Sequence, residues 1–352
     1  MSRTLLLKIT AVCIGLLIAL VMVEVFLRVQ HFIQLDGFAE STRWHQVLHH
    51  GSDDFVVTSY GEKCGQEKTR VLLLGDSWME DPVLSGSIGS ALARLTNQCI
   101  ETVNGGTSSY APTLYLLKGR QAVQKYGKFD YVIVNIDETD IGDEWLRYRI
   151  PQTRDATGKL VAVPYENDLR SLFIHNGKLW AENSPIYLVR FLRFALYYNV
   201  LVPYLETFTV APNHYDTLMR YVFAPDAESS YTTEQKYFYA RLVELADELS
   251  NTVSAAGSVY VTHHPHLRGL VDRRDEGRTY LPVVSLAVGR LGQEKGVKIL
   301  DARKEVEAIH QNSLFTDTFA EGDPFSHLAE AGAMRYGTWI AAQVALDRGQ
   351  SN

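Results

Sequence analysis

Short apolar segments alternate with segments of helical periodicity along most of the chain. The apolar segments are rich in Val, Leu and Ile and end in turn residues, which is typical of buried strands. The strand candidates are 71–74, 100–103, 130–136, 258–262 and 297–301. The helix candidates are 87–97, 114–126, 232–249, 280–291 and 328–346. This order predicts an α/β domain whose parallel strands are joined by helical crossovers.

The chain divides by composition into an N-terminal apolar segment, a polar stem, a core and an insertion into that core. The expected bounds are 1–30 for the apolar segment, 31–68 for the stem, 69–144 with 232–346 for the core, and 145–231 for the insertion. The insertion is recognised because it interrupts the alternation of strands and helices. No internal repeat is present.

The insertion contains an apolar stretch at 186–210. Arg190 and Arg193 lie inside this stretch and Pro203 breaks it, so that the remainder is too short to cross a bilayer. Two interpretations stay open. The insertion is either a cap over the functional site or a surface that rests on lipid, and the cap is the simpler of the two.

The N-terminal segment is interpreted as an uncleaved signal anchor. Arg3 and Lys8 precede a charge-free stretch at 9–23, and Glu24 follows it. About twenty largely apolar residues suffice for a helix that spans a bilayer. A cleaved signal peptide is the alternative, but small residues at cleavage spacing do not follow the apolar stretch. The basic start predicts a single-pass protein of a bacterial inner (plasma) membrane, with its body on the periplasmic or extracellular side.

Composition supports a large core and argues against a nucleic-acid partner. The 352 residues are 46% apolar, and the net charge of −7 comes without any block of like charge. Of the three cysteines, Cys13 lies in the apolar segment. Cys64 and Cys99 either pair in an oxidising compartment or remain separate buried thiols. The cysteine spacing predicts no metal site.

The first strand candidate runs into Gly75-Asp76-Ser77. Gly75 can adopt backbone angles that other residues avoid, so the chain can turn sharply where the strand ends. Ser77 would then lie at the carboxyl end of a parallel strand, where open α/β sheets hold their reactive groups. This position makes Ser77 a candidate nucleophile. The alternative is that Asp76 and Ser77 only cap the following helix.

A serine nucleophile needs a base, an acceptor that orients the base, and donors for the developing oxyanion. Asp323 and His327 are four residues apart before the last helix, close enough to share one turn and form a hydrogen bond. The N–H of Ser77, the loop at 106–109 and Thr139 follow neighbouring strands and are candidate oxyanion donors. Together these residues predict a Ser-His-Asp mechanism.

These motifs resemble the SGNH hydrolase family, also called GDSL esterases and lipases, across residues 69–345. The family carries its nucleophile in a Gly-Asp-Ser block, completes the oxyanion hole with Asn-x-Gly-x-x-Gly and Gly-x-Asn-Asp blocks, and ends in Asp-x-x-His. The corresponding segments here are 75–78, 104–109, 137–140 and 323–327. Ser109 replaces the second glycine, Thr139 replaces the asparagine, and the last block is one residue longer than usual.

The resemblance implies a flavodoxin-like three-layer sheet and assigns roles to individual residues. It implies catalytic roles for Ser77, His327 and Asp323, and an oxyanion hole formed by Ser77, Gly106, Ser109 and Thr139. The residues expected to line the pocket are Asp76, Trp78, Asn104, Asp140, His263 and His264. No cofactor or metal is implied.

The resemblance also implies an esterase that acts on O-acyl, often O-acetyl, esters of a carbohydrate or lipid. A domain anchored outside the membrane suggests an envelope or exported glycan, with envelope biosynthesis proteins as partners. Two alternatives stay open. The same site would serve an O-acyltransferase that modifies a polysaccharide, and an SGNH-like domain without activity would bind glycans or act as a scaffold.

Two other clusters are weaker candidates. His263, His264 and His266 follow a strand, but their spacing sends alternate side chains to opposite faces, which disfavours a three-ligand metal site. The acidic run at 137–144 could bind a cation and is interpreted instead as a solvated loop rim. A Gly-x-Ser-x-Gly elbow is absent around Ser77, which argues against the α/β-hydrolase fold.

Overall fold

The computed structural model describes most of the chain in two compact units. The described residues are 3–41, 55–61, 68–163, 186–196, 200, 223–225, 232–264, 273–275, 278–312, 319–320 and 327–350. The helical unit comprises Met1–His49 with Pro164–Ala211, and the sheet unit comprises His50–Val163 with Pro212–Asn352.

Eleven strands are present in the described part of the chain. They are β1 (Val56–Tyr60), β2 (Thr69–Leu74), β3 (Ile100–Asn104), β4 (Phe129–Asp137), β5 (Thr153–Arg154), β6 (Leu160–Ala162), β7 (Phe223–Pro225), β8 (Val253–His264), β9 (Arg273–Asp275), β10 (Arg278–Pro282) and β11 (Lys298–Asp301). A six-stranded sheet has the order β1-β3-β2-β4-β8-β11, while β7-β10-β9 and β5-β6 form two small sheets.

The central sheet is parallel except for β1, which pairs antiparallel with β3. Its five parallel strands therefore have the flavodoxin-like order 2-1-3-4-5. The strand order reverses between β2 and β4, and in open α/β sheets such a switch point leaves a crevice at the carboxyl ends of the two strands. Ser77 follows β2 directly and therefore lies at this crevice.

Helices connect the strands. They are α1 (Arg3–Ser41), α2 (Ser77–Glu80), α3 (Pro82–Thr96), α4 (Pro112–Tyr126), α5 (Asp140–Asp143), α6 (Tyr187–Leu196), α7 (Thr233–Ser250), α8 (Val283–Lys295), α9 (Arg303–Asn312) and α10 (Glu330–Gln350). A π-helical turn at Glu144–Tyr148 continues α5. Helix α3 packs against α10, and α7 packs against both α4 and α8.

The central strands are buried on both faces. Val71 and Leu73 of β2 belong to an apolar cluster that includes Ile340 of α10, and all three side chains are fully buried. Leu72 and Leu74 are also fully buried, and they point to the opposite face because successive side chains of a strand alternate. An apolar run without alternation is the expected sequence of such a strand.

Most of the predicted elements of the core are confirmed, with shifts at their ends. Helix α7 begins with a capping box, in which the Thr232 side chain accepts a hydrogen bond from Gln235 N and the Gln235 side chain accepts one from Thr232 N. The helix predicted from residue 280 is wrong at its start. Residues Tyr280–Pro282 extend β10 and pair with Phe223–Pro225 of β7, so the helix begins only at Val283.

The helical unit contains α1 and α6, which contact each other. Large apolar side chains of α1 are exposed at Leu5 and between Val12 and Phe26. Among the residues that the structure describes, no helix meets the length and hydropathy needed to cross a membrane.

The close contact between α3 and α10 allows a prediction about the free energy of unfolding. A Cβ atom at Gly337 of α10 would lie 2.8 Å from Leu84 O and 2.8 Å from the Ser87 Cβ of α3. We expect Gly337→Ala to force the helices apart and to lower the free energy of unfolding by about 1–3 kcal/mol, as overpacking does. Chemical denaturation measures this change.

Gly289→Ala in α8 is the matched control, because the added Cβ would have no atom within 4 Å other than the neighbouring backbone of its own helix. An alanine there should stabilise the helix by about 0.5–1 kcal/mol. Equal effects of the two substitutions would contradict the close helix contact.

Candidate active site

Ser77 is the first residue of α2 and lies directly after β2. Glycine is required at position 75 because a side chain there would clash with its neighbours, and not because the backbone adopts an unusual angle. A Cβ at Gly75 would lie 2.8 Å from the Met79 Cβ, and Gly75 is absent from the positive-φ glycines of the described chain. Asp76 caps α2, since its side chain accepts a hydrogen bond of 3.1 Å from Trp78 N. The cap interpretation of Asp76 is therefore confirmed alongside the placement of Ser77.

His327 reaches Ser77 from a position 250 residues later in the chain. An isolated antiparallel bridge joins Phe319 to Leu328, and Ala320 N donates a hydrogen bond of 2.7 Å to His327 O. Phe319 is fully buried in the apolar cluster, which fixes this bridge to the core. His327 Nε2 lies 2.7 Å from Ser77 Oγ. Asp323, predicted as the third member of the triad, lies outside the described residues.

The hydroxyl of Ser77 has one proton and two neighbouring acceptors. Asp76 Oδ2 lies 3.2 Å from Ser77 Oγ, whereas His327 Nε2 lies 2.7 Å away. When the imidazole nitrogen is unprotonated, the shorter contact favours donation to His327. The lone pairs of Ser77 Oγ are then free to attack an acyl carbon, which is the geometry that general-base catalysis requires.

The predicted oxyanion donors differ in the hydrogen bonds that they already make within the protein. Ser77 N, the first N–H of α2, donates no hydrogen bond within the described residues, so it can serve an oxyanion. Gly106 N donates a hydrogen bond of 2.8 Å to Asn104 Oδ1. Both the N–H and the hydroxyl of Thr139 donate to Asp137 Oδ1. Thr139 therefore holds Asp137 in place and directs neither donor at Ser77.

The loop after β3 is shaped by two residues of the second motif. A Cβ at Gly106 would lie 2.5 Å from the backbone of Met79 and Glu80, so only glycine fits. Asn104 ties this loop to α2 by donating to Met79 O at 2.8 Å. Ser109 has a φ of 62°, a left-handed conformation that favours glycine. This conformation accounts for the glycine of the resembled motif at that place.

A buried hydrogen-bond chain lies beneath Ser77, and sequence analysis missed most of it. Tyr336 Oη donates to Asn135 Oδ1 at 3.1 Å, and Asn135 Nδ2 donates to His264 Nδ1 at 2.7 Å. Because Nδ1 accepts, the proton of a neutral His264 resides on Nε2, which lies 2.5 Å from Asp137 Oδ2. Thr262 Oγ1 completes the chain at 2.9 Å from Tyr336 Oη.

The chain supports the site through Trp78. The indole of Trp78 stacks on His264 with ring centroids 3.5 Å apart and an interplanar angle of 18°. Since Trp78 follows Ser77 directly, an ordered His264 restrains the backbone of the nucleophile. A sequence signal existed for this chain, because Asn135 and Thr262 are polar residues within buried strands and such groups need hydrogen-bond partners.

Several side chains expected to line an open pocket are buried instead. Trp78 is 3% exposed, His263 is 2% exposed, and Asp140 and His264 are fully buried. They support the site from within the fold. His263 points away from the chain beneath Ser77, with Nδ1 3.1 Å from Ser285 Oγ of α8. His266 lies outside the described residues.

The solvated rim expected at 137–144 is wrong, because its five acidic residues are all buried. Asp143 forms an ion pair of 3.0 Å with buried Arg147 one turn later. Burial raises the pKa of Asp140 well above its usual range, and the charges of Asp137 and Asp76 add to this effect.

Asp140 accepts hydrogen bonds at both of its carboxyl oxygens. Tyr115 Oη, which donates, lies 2.9 Å from Tyr110 O, 3.1 Å from Asp140 Oδ1 and 3.0 Å from Asp140 Oδ2. Asp140 Oδ2 also accepts a hydrogen bond of 3.2 Å from Asp137 N.

One set of side chains has metal-ligating atoms close together. Ligand atoms of Asp76, Asp137 and His264 lie within 4.8 Å of one another, and all three residues are buried. Each of these carboxylates already accepts hydrogen bonds, from Trp78 and from Thr139 and His264 respectively. Hydrogen bonding thus accounts for the cluster without a cation.

Cys99 is disulfide-bonded, whereas Cys13 is an exposed free cysteine. Cys64 lies outside the described residues. The bond at Cys99 anchors the start of β3 at the amino end of the sheet, opposite to the edge that holds Ser77.

The hydrogen-bond chain predicts that removing one hydroxyl group, that of Tyr336, lowers the stability of the fold. Tyr336→Phe keeps the ring and leaves Asn135 Oδ1 and the Thr262 hydroxyl without a partner in the buried core. We expect a loss of about 1–3 kcal/mol in the free energy of unfolding. Tyr131→Phe on β4 is the control, because no hydrogen bond of its hydroxyl is found within the described residues, and it should change stability by less than about 0.5 kcal/mol. Similar losses for both variants, measured by urea denaturation, would refute the role of the chain.

Glu144 predicts a pH dependence of stability. Burial raises its pKa from 4.5 to about 7, although hydrogen bonds from Thr113 oppose this shift. The folded state then binds the Glu144 proton more tightly than the unfolded state does. The stability that this proton contributes, up to about 3 kcal/mol, is therefore fully present below pH 4.5 and is lost as the pH rises towards 7.

Glu144→Gln keeps the shape and cannot ionise, so its free energy of unfolding should depend less on pH between 4.5 and 7. Glu330→Gln, an exposed change at the start of α10, is the control. If the Glu144→Gln and wild-type curves run parallel over this range, Glu144 does not titrate as stated.

Comparison with known proteins gives distant structural matches only. No protein-family model matches the chain, and no curated protein matches it in sequence. An acetylxylan esterase from Geobacillus stearothermophilus matches with a TM-score of 0.40 at 10% identity, covering 78% of this chain and 94% of that one. LAE5, an alpha/beta hydrolase from the Lake Arreo metagenome, matches with a TM-score of 0.41 at 13% identity, covering 79% and 96%.

A lipolytic G-D-S-L family member from Veillonella parvula has a TM-score of 0.39 at 12% identity and covers 79% of this chain and 98% of its own. At these values the matches carry no argument about family or activity, so any functional argument has to come from the site itself.

Proposed function

We propose that the protein is a serine esterase that uses Ser77 as nucleophile and His327 as general base. The observation that carries this proposal is the distance of 2.7 Å between Ser77 Oγ and His327 Nε2 at the switch point of the sheet. A serine hydroxyl becomes a competent nucleophile when a neutral imidazole accepts its proton. Asp323 is proposed to orient His327, as the resemblance in sequence implies.

The proposed reaction follows from this arrangement. His327 Nε2 takes the proton of Ser77 as Oγ attacks the ester carbonyl, and the carbonyl oxygen becomes an oxyanion. Ser77 N–H donates to that oxyanion, and Ser109 N–H is the proposed second donor, because Gly106 N–H already donates to Asn104 Oδ1. The imidazolium then protonates the leaving alcohol, and a water activated by His327 releases the acid from Ser77.

The proposed substrate is an O-acyl ester, preferably O-acetyl, on a glycan of the cell envelope or an exported polysaccharide. This assignment is supported by the resemblance of the Gly75-Asp76-Ser77-Trp78 block to SGNH hydrolases. The protein is further proposed to be attached to a bacterial inner membrane by its N-terminal segment. The support is the charge-free stretch at 9–23 and the exposed apolar side chains of α1.

A fluorophosphonate probe tests the nucleophile, since it phosphonylates serines that have an activating base. We expect Ser77→Ala to abolish labelling and His327→Gln to slow it by about a thousandfold or more. Ser90→Ala, an exposed serine of α3, should be labelled at the wild-type rate. Labelling of Ser77→Ala at the wild-type rate would refute the assignment. Release of acetate from an acetylated glycan, scored with and without a sugar acceptor, then separates hydrolysis from transfer.

A further inference from the structure

Helix α6 has an exposed apolar stripe. Leu188, Phe191, Leu192 and Leu196 recur at the spacing of one helix face. Phe191 is 46% exposed, Leu192 is 57% exposed and Leu196 is 49% exposed. Exposure of three large apolar side chains on one short helix needs a partner that covers them.

The N-terminus of α6 is held by an acidic residue of α1. Glu24 Oε1 accepts a hydrogen bond of 2.9 Å from Tyr187 N, and Oε2 accepts one of 2.7 Å from Leu188 N. These are the first two N–H groups of α6, which have no partner within their own helix. A carboxylate is also favoured at this end of a helix by the helix dipole.

Arg28 completes this contact, which we call the Glu24 clamp (Glu24, Arg28, Tyr187 and Leu188). Arg28 Nε lies 2.9 Å from Glu24 Oε1, and its guanidinium lies 4.8 Å from the centre of the Tyr187 ring. The clamp explains why a single acidic residue interrupts an otherwise apolar stretch. It also fixes α6 beside the apolar part of α1.

The surroundings of α1 indicate what covers both helices. Its large apolar side chains are exposed on every side of the helix, at Val12, Ile14, Leu16, Leu17, Ile18, Leu20, Val21, Met22, Val23, Val25 and Phe26. A protein partner binds one stripe of a helix, whereas acyl chains surround it. Lipid is therefore the occupant that fits α1, and the stripe of α6 is continuous with it through the clamp.

We infer that α6 is a second lipid-contacting element, which lies along the membrane surface with its apolar stripe towards the acyl chains. Its 10 residues span about 15 Å, half the thickness of the hydrocarbon core, so it cannot cross the bilayer. Tyr187 and Arg28 at the clamp are residues typical of the interface between water and lipid. The inference rests on the proposed membrane attachment and favours the lipid interpretation of the insertion over a cap.

The test uses the full chain in vesicles of phosphatidylethanolamine and phosphatidylglycerol that contain doxyl-labelled lipid. Single cysteines at Leu17, Leu192 and Arg193 carry an NBD fluorophore in a Cys13→Ser background. We expect the labels at Leu192 and at Leu17 both to be quenched. The label at Arg193, which lies off the stripe, should be quenched less.

The clamp is tested in the same samples. Glu24→Ala should reduce quenching at Leu192 and leave quenching at Leu17 unchanged, whereas Lys8→Ala, an exposed change on α1, should alter neither. Quenching at Leu17 without quenching at Leu192 would overturn the inference and leave the attachment intact, which would point to a protein partner or a second copy on the stripe. Absence of quenching at both positions would overturn both. Fluorophosphonate labelling of each sample reports separately on the proposed esterase.

Discussion

The hydrogen bond between Ser77 and His327 depends on where the strand order of the sheet reverses. Ser77 is placed by β2, which lies beside the switch point, and His327 is placed by a bridge that Phe319 holds in the core. Both elements pack in the same apolar cluster, so neither residue can move unless that cluster rearranges. Residues 250 positions apart are thus brought within 2.7 Å by the packing of these elements and by the backbone bridge next to His327.

The same edge of the sheet buries an unusual amount of negative charge. Asp76, Asp137, Asp140, Asp143 and Glu144 are all buried. Isolated buried carboxylates would be costly, so each one has a specific compensation. Asp76 and Asp137 accept hydrogen bonds, Asp143 pairs with Arg147, and the raised pKa values of Asp140 and Glu144 keep protons on both at low pH. This arrangement lets acidic groups orient the site with a limited electrostatic cost.

Sequence patterns predicted the five parallel strands of the central sheet, most helices and the positions of Ser77 and His327, because these follow from local apolar periodicity and from turn residues. They did not predict the chain from Thr262 through Tyr336 to Asn135 and His264, since those contacts join distant strands and helices. The acidic run was misjudged for a related reason. A run of carboxylates is normally solvated, and its burial here depends on tertiary contacts such as those of Tyr115 with Asp140 and of Thr113 with Glu144.

At the end of β10 the sequence pattern was misleading. Tyr280–Pro282 follow a helical pattern in the sequence, but backbone partners on β7 and β9 draw them into a small sheet. Local propensity is overridden wherever neighbouring strands offer hydrogen bonds. The role of Thr139 was likewise hidden, because its partner Asp137 was expected to face solvent.

A crystal structure of the protein, alone and after phosphonylation, measures the contact on which this account rests. The account predicts His327 Nε2 within hydrogen-bonding distance of Ser77 Oγ, near 2.7 Å in the free protein, with the phosphonyl oxygen bound to Ser77 N–H. An imidazole more than about 5 Å from that oxygen in both states would contradict it, because no proton transfer could then activate the serine.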